Sequence, residues 1–258
     1  MKYFKSALSC FTFFLFCYAN IGFAQTPFFS REKYTSGTGD TLNYRMFNPD
    51  RDTLRKYPMV IFLHGSGERG NDNESQLRFG VMHLANDKIS SMYPAFIVAP
   101  QCPQNMRWAN VDDNRRTCEM HLLPAPSLPM KLVIELIQKM KKELPVDTNR
   151  IYITGLSMGG QGTYDAIERY PQLFAAAVPV SGGGDTSKAA SIATIPIWIF
   201  HGAEDPTVNP KYSLQMLEAL TNAGAHPGFT QYPGMGHFVS KSVYIDQQMI
   251  AWLFRQHK

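Results

Sequence analysis

The sequence contains no Cys-x-x-Cys, no His-Glu-x-x-His and no clustered His/Cys spacing, so a zinc site has no ligand set to build on. Four cysteines in 258 residues are too few for a disulfide scaffold. No internal repeat or low-complexity tract occurs, which argues against a solenoid, and no run of basic residues occurs either. Lys and Arg number 25 against 21 Asp and Glu, a net charge of +4 that offers nucleic acid no electrostatic footprint. A hydrophobic content of 44% with 18% charged residues argues against a disordered tail, a collagen-like fibre and a multi-span membrane protein. What is left is one large domain, or at most two, with ample material for a buried core.

The first 24 residues read as an address rather than as structure. Lys2 and Lys5 form a positive start, Phe11 to Tyr18 a short apolar stretch, and Gly22-Phe23-Ala24 a small-x-small cleavage signature. The expectation is a secretory signal peptide over residues 1–24, a mature chain beginning at Gln25, and one domain over 25–258. The apolar stretch is short for a membrane span of roughly 20 residues, so no stable membrane association is expected after cleavage. The destination expected is periplasmic or extracellular.

Export changes how the cysteines read. Cys10 and Cys17 leave with the leader, and Cys102 and Cys118 remain. In an oxidising compartment two such thiols can bridge; they can equally stay as two buried thiols, and spacing alone does not choose. A bridge would fix the segment carrying Trp108.

Along the mature chain, short runs rich in Val, Ile, Phe and Tyr alternate with helical patterns. Strands are expected at Thr41–Phe47, Met59–Leu63, Phe96–Ala99, Ile151–Thr154, Ala175–Val180, Ile197–Phe200 and Phe229–Tyr232. Most of the central ones are continuously apolar, as strands covered on both faces are. Helices are expected at Pro129–Leu144, Gly159–Tyr170, Lys211–Ala223 and Val243–Gln256. This alternation specifies an α/β fold, an open sheet with helices on both faces. The proline-rich stretch from Pro100 to Pro129 is too long for a plain connection and reads as an excursion over the sheet's functional edge.

Ligands bind beyond the carboxyl ends of strands in such sheets, and four motifs fall there. Gly155-Leu156-Ser157-Met158-Gly159 is Gly-x-Ser-x-Gly directly between a strand and a helix, the context in which that motif presents a nucleophilic serine. A serine hydroxyl needs a base to take its proton. His237, in Gly234-Met235-Gly236-His237-Phe238 after the last strand, is the candidate; His226 precedes that strand and lies at the wrong end. Asp205, just beyond Ile197–Phe200, is the candidate to orient the imidazole, with Asp185 and Glu204 as rivals. The loop His64-Gly65-Ser66-Gly67-Glu68-Arg69-Gly70 is suited to direct a backbone N–H at a substrate carbonyl oxygen. Ser66, or in reserve Gly67, would form an oxyanion hole with Met158. That glycine-rich loop lacks the Gly-Lys-Ser/Thr of a nucleotide-binding loop. Glu68 and Arg69 read as a buried pair, and Asp72 or Asn73 as a helix cap. His64 and His201 read as packing and turn residues. Trp108 and Phe238 flank these loops and are candidate stacking surfaces for an aromatic acyl group or a sugar, with core or surface packing an equal alternative for each.

The order Ser157, Asp205, His237 is that of the α/β-hydrolases. More narrowly, His64-Gly65-Ser66-Gly67-Glu68-Arg69-Gly70, Ala99-Pro100-Gln101-Cys102-Pro103, Gly155-Leu156-Ser157-Met158-Gly159-Gly160 and His201-Gly202-Ala203-Glu204-Asp205 resemble secreted single-domain esterases. That group, often labelled "predicted peptidase", is similar to carbohydrate esterase family 1 feruloyl and acetyl-xylan esterases. The resemblance covers nearly all of Thr41–Lys258. It implies a mostly parallel eight-stranded sheet, neither metal nor organic cofactor, and a small-molecule or carbohydrate ester as substrate. Two other classes compete. A small-peptide hydrolase usually carries an extra gating domain in this superfamily, for which this chain is expected to have no room. A non-catalytic binding module is expected to have lost at least one triad residue, and none is missing.

Overall fold

The computed structural model describes residues 28–49, 52 and 54–258. The expected leader, with Cys10 and Cys17, lies outside them. The chain opens with β1 (Ser30–Thr35), β2 (Thr41–Phe47) and β3 (Tyr57–Leu63), followed by the short helices α1 (Val81–Leu84) and α2 (Asp87–Met92). After β4 (Phe96–Pro100) comes a two-stranded hairpin, β5 (Val111–Asn114) and β6 (Glu119–Leu122), which leads into α3 (Leu128–Glu143). The remainder alternates: β7 (Val146–Leu156), α4 (Met158–Arg169), β8 (Ala176–Val180), α5 (Ala189–Ile192), β9 (Trp198–Gly202), α6 (Lys211–Asn222), β10 (Gly228–Tyr232), α7 (Ser240–Ile245) and α8 (Gln247–Arg255).

Eight strands form one sheet in the order β1-β2-β4-β3-β7-β8-β9-β10. The strands from β4 to β10 in that order are parallel, while β1 and β2 pair antiparallel at one edge. Side chains alternate between the two faces with a period of two residues. Met59, Ile61 and Leu63 of β3 enter one core with Ile151 and Ile153 of β7 and with α3, α4, α5 and α6. Val60 and Phe62 enter the other, with Tyr152 and the helices α1, α2, α7 and α8. Burial of both faces is why these strands are apolar throughout.

Helix ends follow their capping residues. Ser127 accepts the Met130 N–H at 3.1 Å to start α3, with Pro129 in the first turn. The single helix expected over Val243–Gln256 is two. Asp246 is extended, and its carboxylate accepts the Gln248 N–H at 2.8 Å, capping α8 and breaking the run. The proline-rich excursion also contains more order than expected, since the β5–β6 hairpin lies inside it. Among the described residues no helix is long and apolar enough to cross a membrane.

Candidate active site

The parallel strands end on one edge, and the segments singled out above meet there. Ser157 follows β7 with φ 58° and ψ −115°, a conformation sparsely populated by residues with a side chain. Its N–H donates to Val180 O at 2.8 Å, and its carbonyl accepts the Gln161 N–H at 3.0 Å, so strand and helix lock the turn from both sides. The flanking glycines permit the close passage. A Cβ on Gly159 would sit 1.9 Å from Leu63 O, and one on Gly155 would sit 2.4 Å from Gly159 O. No other residue fits.

Asp205 comes from the loop after β9 and His237 from the loop after β10. His237 Nε2 lies 2.9 Å from Ser157 Oγ, and His237 Nδ1 lies 2.7 Å from Asp205 Oδ2. Asp205 accepts Nδ1–H, so Nε2 is left free to accept the serine proton. The other carboxylate oxygen, Oδ1, accepts the N–H groups of Thr207 and Val208 at 2.8 and 2.9 Å. Burial alone would raise the Asp205 carboxyl; the hydrogen bond from His237 and the two amides outweigh it and leave it below the ordinary carboxylate range. The carboxylate is held ionised beside the imidazole.

The rivals lie elsewhere. Asp185 accepts Ser187 N–H through Oδ1 and Leu122 N–H through Oδ2, at 3.0 and 2.9 Å, tying the β5–β6 hairpin to the loop after β8. Glu204 and His226 are exposed, and His226 is at the opposite end of β10.

Ser66 opens a single 3-10 turn, Ser66–Glu68, and Met158 opens α4. First-turn amides have no intrahelical acceptor, so both N–H groups are available to an oxyanion. The loop's nearness to the nucleophile is direct: a Cβ on Gly65 would be 3.8 Å from Ser157 Cβ. Several side chains brace it. Gln101, fully buried, donates through Nε2 to Glu68 O at 3.1 Å and Asp72 Oδ1 at 2.7 Å, and accepts the Asn73 N–H at 2.7 Å. His64 bridges the loop to β4: Nδ1 donates to Gly65 O at 2.6 Å and Nε2 accepts the Cys102 N–H at 2.9 Å. Those two bonds fix a neutral imidazole, and burial lowers its pKa to about 4. The expected Glu68–Arg69 pair does not form. Arg69 Nε donates instead to Ser66 O at 2.9 Å, while Glu68 is buried beneath the loop and its carboxyl is raised by desolvation. The N-cap of the next turn is Glu74, not Asp72 or Asn73; Asp72 accepts Glu74 N–H and Ser75 N–H at 2.8 and 3.0 Å just ahead of it.

Two alternatives left open by the sequence are decided by the structure. Trp108 is not a substrate surface. It is fully buried, its indole N–H donates to His64 O at 3.0 Å, and its ring packs edge-on against His64. The segment carrying it is fixed by that packing rather than by a disulfide, because Cys102 and Cys118 are both free thiols. Cys102 belongs to the main core and Cys118 to a small cluster with Met120 and Tyr212. Burial pushes the Cys102 thiol up to about 12. Phe238, by contrast, is 70% exposed beside His237, with ring centroids 5.8 Å apart. Phe79, 41% exposed, stands 6.2 Å from it and extends an aromatic surface at the site's rim.

Residues 51–248 match the family described as phospholipase/carboxylesterase. Over 152 residues the chain is 38% identical to a bifunctional acetylxylan esterase/xylanase of Neocallimastix patriciarum, covering 59% of this chain and 20% of that protein. It is 28% identical to a carboxylesterase of Arabidopsis thaliana over 222 residues, 77% of this chain and 90% of the relative. Among solved structures, a thermostable esterase superposes with a TM-score of 0.82 at 40% identity, covering 89% of this chain and 63% of that one. A ferulic acid esterase superposes with a TM-score of 0.66 at 18% identity, covering 88% of this chain and 98% of its own, a likeness of fold.

Proposed function

Because the chain belongs to the phospholipase/carboxylesterase family of α/β-hydrolases and is a serine carboxylesterase, we propose that it cleaves acetyl or feruloyl esters of plant polysaccharides outside the cytoplasm, through an acyl-enzyme on Ser157. The observation that carries the catalytic assignment is the unbroken hydrogen-bonded chain from Ser157 Oγ through His237 to Asp205 Oδ2. His237 takes the serine proton as Oγ attacks the ester carbonyl, and negative charge moves onto the carbonyl oxygen. That oxygen is received by the Met158 and Ser66 N–H groups, strengthened by the positive end of the α4 dipole. His237 then protonates the departing alcohol. Water, activated by the same nitrogen, attacks the acyl-enzyme and releases the acid.

Similarity to an acetylxylan esterase supports the polysaccharide ester reading, and the exposed Phe79–Phe238 surface supports room for an aryl acyl group. Export rests on the sequence of residues 1–24. Purified protein should turn over p-nitrophenyl acetate and methyl ferulate but leave an aminoacyl-p-nitroanilide intact. A fluorophosphonate probe should label Ser157 alone, and Ser157→Ala should abolish labelling. Efficient cleavage of the anilide would move the assignment to a peptide hydrolase. N-terminal sequencing of protein recovered from outside the cytoplasm should begin at Gln25; retention of Met1 would remove the export claim.

A further inference from the structure

An ester has two chemically unlike ends, and the rim of this site presents two chemically unlike surfaces. One is the aromatic pair Phe79 and Phe238. The other is a cavity of about 320 Å³ between the first turn of α4 and the loop that carries Asp205. Its volume is at the lower end of small-molecule sites, roughly 300–1,000 Å³, so it suits a short ligand segment rather than a long apolar chain.

The lining of this cavity is polar and built. Gln161, one turn beyond the nucleophile, and Asn209, beyond the catalytic acid, contribute amides, while Asp113 and Arg115 come from the β5–β6 hairpin. Asp113 is held in place: Tyr212 donates its hydroxyl to Oδ1 at 2.5 Å, and Arg115 Nε is 3.7 Å from Oδ2. The hairpin that carries these residues is itself anchored. Leu122 N–H bonds Asp185, Gln215 Nε2 donates to Thr117 O at 3.3 Å, and Cys118 and Met120 pack on Tyr212. An excursion fastened at three places holds its polar groups in register with the catalytic residues.

The chemistry of that lining selects its occupant. Asp113 and Arg115 oppose each other, and Asp205 adds a negative charge already engaged by His237, Thr207 and Val208, so the lining disfavours an anion and leaves no free carboxylate to draw a cation. Acceptor oxygens, guanidinium donors and two amides, each able to give and take, stand against the apolar faces of Pro206 and Val208. Hydroxyl groups that both donate and accept, carried on a ring with C–H faces, complement that mixture.

We infer that this cavity is the glycosyl subsite of the enzyme, holding the sugar ring whose hydroxyl carries the ester cleaved at Ser157. The inference rests on the esterase reading above and names its alcohol side. Gln161 and Asn209 hold neighbouring hydroxyls, and the Asp113–Arg115 pair fixes the ring's orientation, so the sugar's esterified oxygen faces His237.

The test compares wild type with Arg115→Ala and Asp113→Asn on acetylated xylotriose and on p-nitrophenyl acetate, which has no sugar. Arg115 is 78% exposed, so its replacement does not threaten folding. The ratio of kcat/KM for the sugar ester to that for the aryl ester should fall about tenfold in each variant, mainly through KM, as expected for a lost charge-assisted hydrogen bond. Saturation-transfer NMR should show free xylotriose bound to wild type and not to Arg115→Ala. An unchanged ratio with unchanged xylotriose binding overturns the subsite. Wild type that cleaves the aryl ester but neither cleaves the sugar ester nor binds xylotriose also overturns it, and leaves the esterase standing. Failure to cleave either ester, with no fluorophosphonate labelling, removes the esterase reading itself.

Discussion

His201 Nε2 lies 3.3 Å from Asp205 Oδ2, the same carboxylate oxygen that accepts the Nδ1–H of His237. The nitrogen also faces Val208 O at 2.9 Å, while Nδ1 lies 2.7 Å from the Ser213 hydroxyl, which donates to Gly182 O at 3.0 Å. Burial holds the ring's pKa below its ordinary value despite the hydrogen bond to Val208 and the Asp205 charge, which keeps it neutral. Asp205 therefore divides its charge between two imidazoles. One is positioned to react and the other steadies the acid.

Replacing His201 by Phe keeps the ring's bulk and removes the N–H. Asp205 would then offer His237 more undivided negative charge, favouring the imidazolium. The acid limb of the kcat/KM profile should move to higher pH, with kcat lowered by about tenfold. A packing role alone would lower stability and leave the limb in place, so the pH profile decides.

Gln101 tests the oxyanion loop. Gln101→Leu removes three hydrogen bonds that tie residues 68–73 to the end of β4. Leaving those buried partners unmatched should cost about 2–4 kcal/mol of stability by urea unfolding. Because the loop's N–H acts on charge that develops only in the transition state, kcat should fall by about 10–100-fold with KM little changed. A variant with lowered stability but wild-type kcat would make Gln101 a structural brace alone.

How much of this was legible follows the physics of each feature. β2 was readable residue for residue, and most of the parallel core strands to within about two residues, because burial on both faces leaves an apolar run with few alternatives; β7 runs from Val146 to Leu156, well beyond the expected Ile151–Thr154, because its first half is polar and partly exposed. β1 was not readable: Ser30–Thr35 is an edge strand of half-exposed, largely polar residues that only its pairing with β2 stabilises. The β5–β6 hairpin is likewise polar and short, and its order comes from tertiary partners such as Asp185. The residues Ser157, Asp205 and His237 were legible because each follows a recognisable strand. His201 and Gln101 were not assigned their bracing roles. The His-Gly pair before Asp205 marked a turn, and nothing local reports that its imidazole reaches the acid four residues on. Trp108 stayed open between site and core because nothing local to its proline-rich loop reports that the absence of a side chain at Gly162 makes room for it in the core. A Cβ there would come within 2.5 Å of Trp108 Cβ.

The two aspartates separate cleanly. Asp205→Asn deprives His237 of its acceptor and permits the wrong tautomer, so kcat should fall by about 10⁴-fold with the fold retained. Asp185→Asn weakens the anchoring of the hairpin and should cost about 1–2 kcal/mol by thermal or urea unfolding while retaining most turnover of p-nitrophenyl acetate. Greater loss of turnover in the Asp185 variant would reverse the assignment of the acid.

Both thiols are buried, and the Cys102 group is raised by desolvation, so neither should react readily in the folded protein. Ellman's reagent should modify Cys102 and Cys118 only after denaturation, without prior reduction. Dithiothreitol should leave KM for p-nitrophenyl acetate unchanged. A pair that appears only after reduction would restore the bridge.

His64 gives the fold a specific acid sensitivity. In the folded chain its Nε2 must stay unprotonated to accept the Cys102 N–H, and burial lowers its pKa from 6.5 to about 4. The unfolded chain thus binds a proton more readily between those two values, and stability rises with pH across that window. The contribution is fully present above pH 6.5 and is lost as pH falls toward 4. A difference of that size amounts to on the order of 3 kcal/mol. Buried carboxyls such as Glu68 and Glu168 have raised pKa values and act in the opposite sense, so the total profile mixes both signs. A comparison of wild type with His64→Gln isolates the histidine. The variant should be less stable at neutral pH, since Gln cannot span both partners as the ring does, but the gap between the two proteins should narrow as pH falls through the window. Urea unfolding at about pH 7 and about pH 4.5 measures that gap directly. A gap that stays constant would mean that His64 holds the oxyanion loop without sensing acid.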